Sequence, residues 1–170
     1  PSSVKYNINV LKKISKLSNF IAMKEDAKID NYTKKILKNV KKNINIITSG
    51  GGKKQWMKFA KQGCQGWLSG ISNLDPKIAI QFYKFYKENE IHKGLKIIKY
   101  LEEPFFKLKD KFGWHLTIKA SLEVLKLMSR HERKPMISLK NNQMKEIKKM
   151  IKKIKFNSEK YFKEYNFFAV

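Results

Sequence analysis

Apolar residues in the first half of the chain follow two alternating patterns. Spacings of three and four residues, typical of helices, occur at 4–17, 29–40, 56–60 and 76–86. Between them lie short apolar runs at 20–24, 44–48 and 64–69, in which polar residues do not alternate. Strands of this kind are buried on both faces, as in a parallel sheet wrapped by helices. The pattern therefore predicts about three parallel βα units within residues 1–89.

From residue 90 onward only helical spacing remains. It predicts helices at about 90–110, with Pro104 as an internal kink, and at 115–129 and 139–155. The tail "FNSEKYFKEYNFFAV" either continues the last helix or packs its aromatic residues nearby. Three strands alone would leave two sheet edges unpaired, whereas a closed (β/α)₈ barrel takes about 250 residues. We therefore predict an α/β fold: the C-terminal part of a TIM barrel in 1–89, followed by a three-helix extension in 90–170.

The charge of the chain raises a second class of function. A net charge of +24 is typical of nucleic-acid-binding proteins. However, only two of the 38 basic residues are arginine, the side chain best suited to phosphate and base recognition. The lysines are also spread along the whole chain, so we expect them on the outer faces of helices without a continuous basic groove. A basic nucleic-acid-binding protein stays open as the alternative, and we expect no nucleic-acid partner.

Other features of the sequence limit the cellular location and the chemistry that we expect of the protein. No apolar run approaches the 18 residues of a membrane span, so no membrane association is expected. The single cysteine, Cys64, fits a reducing cytosol and predicts a cytoplasmic location. The three histidines match no metal-site spacing, so no metal is predicted. The segment "SGGGKK" lacks the Walker pattern and indicates either a ligand-proximal turn or a plain tight turn.

Lys24 differs from the other lysines because it ends an apolar run, "NFIAMK". Alternate residues of a strand share a face, so Phe20, Ala22 and Lys24 point the same way. If that face looks into a barrel, the Lys24 amine lies at the carboxyl end of the strand and points inward. Enclosure disfavours the charged form of an amine, and a neutral amine can attack a ketone to form a Schiff base. The other interpretation is a solvated lysine paired with Glu25 or Asp26, and the spacing alone does not separate the two.

Several segments, taken in order, resemble one enzyme family. "NFIAMKEDA", "ITSGGG" and "GCQGWLSGISNLDPKIAIQFYK" have the order and spacing of the dihydrodipicolinate synthase / N-acetylneuraminate lyase family. "LTIKASLEVLKLMSRHERKPMISL" resembles the helical end of that family, with its lysine and its R-x-P-hydrophobic signature. The resemblance covers only the C-terminal part of such a protein.

The resemblance implies a class I aldolase-type barrel that acts on pyruvate or a related 2-keto acid, without a cofactor. Lys24 corresponds to the Schiff-base lysine, Ser49 and Gly50 to the turn near the keto acid, and Leu68 to a pocket-lining residue. Gly52 and Lys53 replace the acidic pair of sialic-acid lyases, so condensation, aldol cleavage and dehydration all stay open. The family implies a homodimer or homotetramer for the full-length protein. An inactive, truncated remnant is the remaining alternative.

Overall fold

The computed structural model describes residues 5–26, 29–49 and 52–164. The chain divides into two compact units, the first ending at Ser69 and the second beginning at Gly70. The boundary between the two compact units lies before the predicted domain boundary at residue 89. That domain boundary stays a prediction about the extent of the barrel region.

Three short parallel strands form the sheet of the first unit. They are β1 (Ala22–Glu25), β2 (Asn45–Thr48) and β3 (Gly66–Trp67), in the spatial order β1-β2-β3. Lys24 lies opposite Ile47, and Thr48 opposite Trp67. The parallel arrangement of the three strands confirms the parallel sheet predicted from the sequence. The third strand is shorter than predicted, although the Leu68 amide still donates to the Thr48 carbonyl at 2.9 Å.

Helices cover one face of this sheet. The first unit contains α1 (Ile8–Ile14), α2 (Asp30–Val40) and α3 (Gly52–Ala60). The buried residues of α2 recur at helical spacing, and so form one apolar face: Tyr32, Ile36, Leu37 and Val40. Trp56 of α3 stacks against Trp67 of β3, with ring centroids 4.6 Å apart. The alternation of strands and helices predicted from the sequence is confirmed.

The second unit has helices and connections but no strand among its described residues. It contains a 3₁₀ turn at Gly70–Asn73, α4 (Pro76–Lys87), α5 (Ile91–Ile97), a π-helical segment (Ile98–Glu102), α6 (Glu103–Phe112), α7 (Trp114–Val124) and α8 (Met144–Glu164). The last helix presents a long buried stripe: Ile147, Ile151, Ile154, Ser158, Tyr161 and Phe162. This stripe at intervals of three and four residues explains why α8 extends well beyond residue 155.

The helix predicted at 90–110 is divided into three parts. Proline has no amide hydrogen and its ring clashes with the carbonyl four residues earlier, which here belongs to Tyr100. The π-helical segment ends at Glu102, two residues before Pro104, and its wider turn relieves this clash. The Asn157 side-chain amide of α8 donates to the Tyr100 carbonyl at 3.0 Å, in place of the missing amide.

The helix predicted at 115–129 ends earlier, at Val124. Lys126 adopts a positive φ of 60°, which ends a right-handed helix. The Arg130 side chain then holds the following segment, because its Nε donates to the Leu139 carbonyl at 2.9 Å. The segment 126–143 is therefore a connection anchored by side chains, and α8 begins only at Met144.

Candidate active site

Lys24 lies on the face of the sheet that the helices do not cover. Its neighbour Glu25 and the paired residue Thr48 are buried, at 2% and 0% exposure, on the helix-covered face. Side chains alternate along a strand, so Lys24 and Ile47 project from the opposite, open face. The Lys24 side chain is 49% exposed. The structure therefore places this amine at the carboxyl end of β1, with access to solvent.

Asp26 is the acidic partner of Lys24. The Lys24 Nζ lies 3.5 Å from the Asp26 Oδ2. The second oxygen, Oδ1, is buried and has no hydrogen-bond partner among the described residues. The ion pair matches the interpretation of Lys24 as a solvated, paired lysine. Its position on the open face matches the interpretation of Lys24 as a Schiff-base lysine. In this geometry the carboxylate attracts the ammonium and restrains its position.

The carboxyl end of β2 lies beside that of β1, and the carboxyl end of β3 lies one strand further along the sheet. The Ser49 amide donates to the Glu25 carbonyl at 3.0 Å, which joins the end of β2 to the end of β1. Leu68 follows β3, and its side chain is 52% exposed. Gly66 lies beside Ile47, which lies beside Lys24, so these three residues form one row across the open face. Leu68 comes two residues after Gly66 and therefore lies on the same face. Gly50, the fourth residue predicted for the site, lies outside the described residues.

Lys53 is a buried charge that the sequence did not reveal. It lies in the first turn of α3, and its side chain is fully buried, whereas the adjacent Lys54 is exposed. The Lys53 Nζ lies 3.4 Å from the Ser69 Oγ. Because Glu25 is also buried, two groups of opposite charge are enclosed behind the open face. No sequence signal separates Lys53 from Lys54, because both belong to one polar run.

A buried tyrosine lies beneath the sheet in the same unit. The Tyr32 hydroxyl accepts from the Tyr6 amide at 2.7 Å and donates to the Tyr6 carbonyl at 3.2 Å. Burial raises the pKa of Tyr32, and the Glu25 charge adds to this effect. The phenol therefore stays neutral at physiological pH and joins α2 to the segment before α1.

The C-terminal motif segment has a structural role in the second unit through Lys119 and through Arg130, which precedes the R-x-P signature at Arg133. The Lys119 Nζ donates to the Glu132 carboxylate at 3.1 Å. The Arg130 amide donates to the Glu123 carboxylate at 2.9 Å, and the Arg130 guanidinium contacts the same carboxylate. These bonds lower the pKa of Glu123, with the backbone hydrogen bond as the main cause. The motif thus fastens the 126–143 connection to α7.

Neither a metal centre nor a membrane-spanning helix is found in the part of the chain that the structure describes. Within 5–26, 29–49 and 52–164, no group of three or more His, Cys, Asp or Glu side chains is arranged to hold a metal ion. None of the helices in that part of the chain is long and apolar enough to cross a membrane.

The fold belongs to the class of (β/α)₈ barrels with a helical extension, of which this chain supplies about half. The 4-hydroxy-tetrahydrodipicolinate synthase of Methylacidiphilum fumariolicum SolV matches with a TM-score of 0.76 at 18% identity, covering 91% of this chain and 51% of that one. The N-acetylneuraminate lyase of Fusobacterium nucleatum matches with a TM-score of 0.75 at 19% identity, covering 90% and 51%. These likenesses confirm the predicted fold class.

Residues 1–154 match the dihydrodipicolinate synthetase family, and the chain belongs to that family. The 4-hydroxy-tetrahydrodipicolinate synthase of Rickettsia typhi is 27% identical over 150 residues, which cover 88% of this chain and 50% of the relative. The enzyme of the same name from Rickettsia prowazekii matches at the same identity and coverage. The chain thus spans about half the length of the curated relatives it matches. The family predicted from the sequence motifs is confirmed.

Proposed function

We propose that the protein forms the C-terminal half of a lyase in which Lys24 makes a Schiff base with a 2-keto acid. The observation that carries this proposal is the position of Lys24: the open face of a parallel sheet, at its carboxyl end, in a member of this family. In barrels of this architecture, ligands bind at the carboxyl ends of the strands. Pyruvate is the simplest 2-keto acid and serves as the probe.

In the proposed reaction the Lys24 ammonium first loses a proton to water, while the Asp26 carboxylate, 3.5 Å away, restrains the nitrogen at the end of β1. The neutral amine attacks the C2 carbonyl, a C–N bond forms, and the carbonyl oxygen leaves as water. The protonated imine then withdraws electrons from the adjacent carbon. A carbanion formed at C3 by loss of a proton, or by cleavage of a C–C bond, is stabilised in this way.

The remaining predicted residues would form the wall beside the keto acid. Ser49 lies at the end of β2, next to the end of β1, and Leu68 follows β3 on the far side of β2. Gly50 would lie in the turn after Ser49. An open face leaves the amine exposed to water, whereas the proposed chemistry needs it enclosed. We therefore propose that activity requires the rest of the barrel, and that the complete protein is a homodimer or homotetramer.

Covalent trapping tests the role of Lys24. The protein is incubated with pyruvate and borohydride, and peptide mass spectrometry locates the added carboxyethyl group. In the presence of the rest of the barrel we expect the adduct at Lys24, and we expect its loss in Lys24→Ala. Lys54→Ala is the matched control, because Lys54 is an exposed lysine at the same end of the sheet. An adduct that survives in Lys24→Ala at another lysine would refute the proposal.

A further inference from the structure

A groove lined with lysines runs between two helices of the second unit. Its walls are the π-helical segment with α6 on one side and α8 on the other, and its volume is about 420 Å³. We call it the lysine groove. Its lining residues are Lys99, Glu103, Pro104, Lys107, Leu108, Glu146, Lys149, Met150 and Lys153. This feature differs from the expectation that the lysines form no continuous basic groove.

The two walls run antiparallel. Asn157 of α8 contacts Tyr100 at one end, and Lys111 of α6 contacts Glu146 at the other. Lys149 and Lys153 are four residues apart on one face of α8, so about 6 Å of helix rise separates them. Regularly spaced positive charges therefore follow both walls.

The groove has a net positive charge even after the ion pairs of its lining residues are counted. Glu146 is neutralised by Lys111, whose Nζ lies 2.7 Å from its carboxylate. Among the described residues, Lys107, Lys149 and Lys153 form no ion pair, and Lys99 contacts only the ring of its neighbour Tyr100. Four lysines thus face one uncompensated acid, Glu103. Attraction for a negatively charged partner follows from this imbalance.

The floor of the groove is apolar. It is formed by Pro104, Leu108 and Met150, of which the first two are half-buried. No aromatic side chain lines the groove, so bases of a nucleic acid would find no stacking surface. The lining also contains no arginine, which nucleic-acid sites favour. An apolar floor between charged walls suits a partner that combines apolar and acidic side chains.

We propose that the lysine groove binds an acidic amphipathic helix of a partner protein. Apolar side chains of that helix would cover Pro104 and Leu108, as in other helix-in-groove complexes. Carboxylates four residues apart on the partner helix repeat every 6 Å or so, and this spacing matches Lys149 and Lys153. The inference concerns a surface on the helical unit and does not depend on the proposed chemistry at Lys24.

The test uses a synthetic helical peptide with leucine at positions i, i+3, i+4 and i+7 and glutamate along both flanks. Fluorescence anisotropy measures its binding to the protein and to two triple variants. K107E/K149E/K153E alters the groove, whereas K34E/K35E/K38E alters exposed lysines of α2 in the first unit. Both variants lower the net charge of +24 by the same amount, so their comparison isolates the position of the charge.

We expect the groove variant to bind at least about tenfold more weakly, since each lost pair contributes a fraction of a kcal/mol and is replaced by repulsion. The α2 variant should bind within about twofold of the unaltered protein, and K107R/K149R/K153R should retain binding. Equal weakening in both charge-reversal variants would overturn the proposal, because it indicates attraction to net charge alone. Equally tight binding of polyphosphate, or of the peptide with serine in place of leucine, would overturn the role of the apolar floor. Circular dichroism confirms that the variants fold.

Discussion

At the scale of single residues, lysines that look alike in the sequence have very different structural environments. Lys53 and Lys54 are adjacent in one polar run, yet the first is fully buried and the second exposed. Lys24 has a third environment, an open sheet face shared with Asp26. Each environment predicts a different response to substitution.

Lys53→Met should destabilise the protein strongly. The substitution removes a buried ammonium and leaves its partners, including the Ser69 hydroxyl, without their hydrogen bonds. Loss of one member of a buried charged contact costs about 3 kcal/mol or more. Lys54→Met should change the free energy of unfolding by less than about 0.5 kcal/mol. Urea unfolding of both variants measures the difference, and equal effects would show that burial of Lys53 contributes nothing.

Lys24→Ala should separate chemistry from stability. The side chain is half exposed and its pair with Asp26 is a surface ion pair, so we expect a loss below about 1 kcal/mol. The same variant should lose the borohydride-trapped adduct completely. A large loss of stability together with the loss of the adduct would indicate a structural role instead.

Glu123→Gln should weaken the protein in a pH-dependent way. The pKa of Glu123 is lowered from 4.5 by its bonds to Arg130, so its carboxylate stabilises the folded state above that pH. As the pH falls below 4.5 toward the folded-state pKa, the carboxylate is protonated and this stability is lost. The difference between the protein and Glu123→Gln should thus be full at neutral pH and shrink in acid. Urea unfolding at several pH values measures it, and a difference that grows in acid would contradict the assignment.

At the scale of elements, the hydrophobic period predicted which segments form helices and strands. The spacing of Tyr32, Ile36 and Val40 indicated α2 almost to its ends, since this period directly specifies a buried face. The ends of elements were less predictable where tertiary contacts determine them. The division of the 90–110 helix involves a contact between distant residues, Asn157 and Tyr100.

The contact between Asn157 and Tyr100 gives a prediction at this scale. Asn157→Ala removes the donor to the carbonyl that Pro104 leaves without an amide, and should cost about 1 kcal/mol. In a Pro104→Ala background the new alanine supplies a backbone amide that can donate instead, so the same substitution should cost less. A double-mutant cycle by urea unfolding measures this coupling. Strictly additive effects would show that the two residues act independently.

At the scale of the whole molecule, the sheet of the described residues has two unpaired edges, at β1 and at β3. Ile21, directly before β1, is 71% exposed. Exposed apolar edges favour pairing with other chains. The half-length match to the family relatives accounts for these edges, because a closed barrel would pair both of them.

Ile21→Lys should therefore reduce self-association of the 170-residue chain. A charge beside an edge strand blocks edge-to-edge pairing, and an exposed position tolerates it within about 0.5 kcal/mol. Light scattering over a range of protein concentrations measures association. Lys5→Ile, which adds an exposed apolar residue away from β1, is the opposite control. Unchanged association in Ile21→Lys would show that the β1 edge is not the contact.

The sequence by itself determined the alternation of strands and helices, the parallel sheet and the family. These features follow from local hydrophobic periodicity and from short motifs in a fixed order, and both can be recognised in the sequence alone. Only the tertiary structure decided that Lys24 shares the open face with Asp26, that Lys53 is buried while Lys54 is exposed, and that lysines from two separate helices line one groove. The physical reason is that burial and pairing of a charge depend on groups distant in the chain. In a protein with lysines throughout, residue type carries no information about those groups.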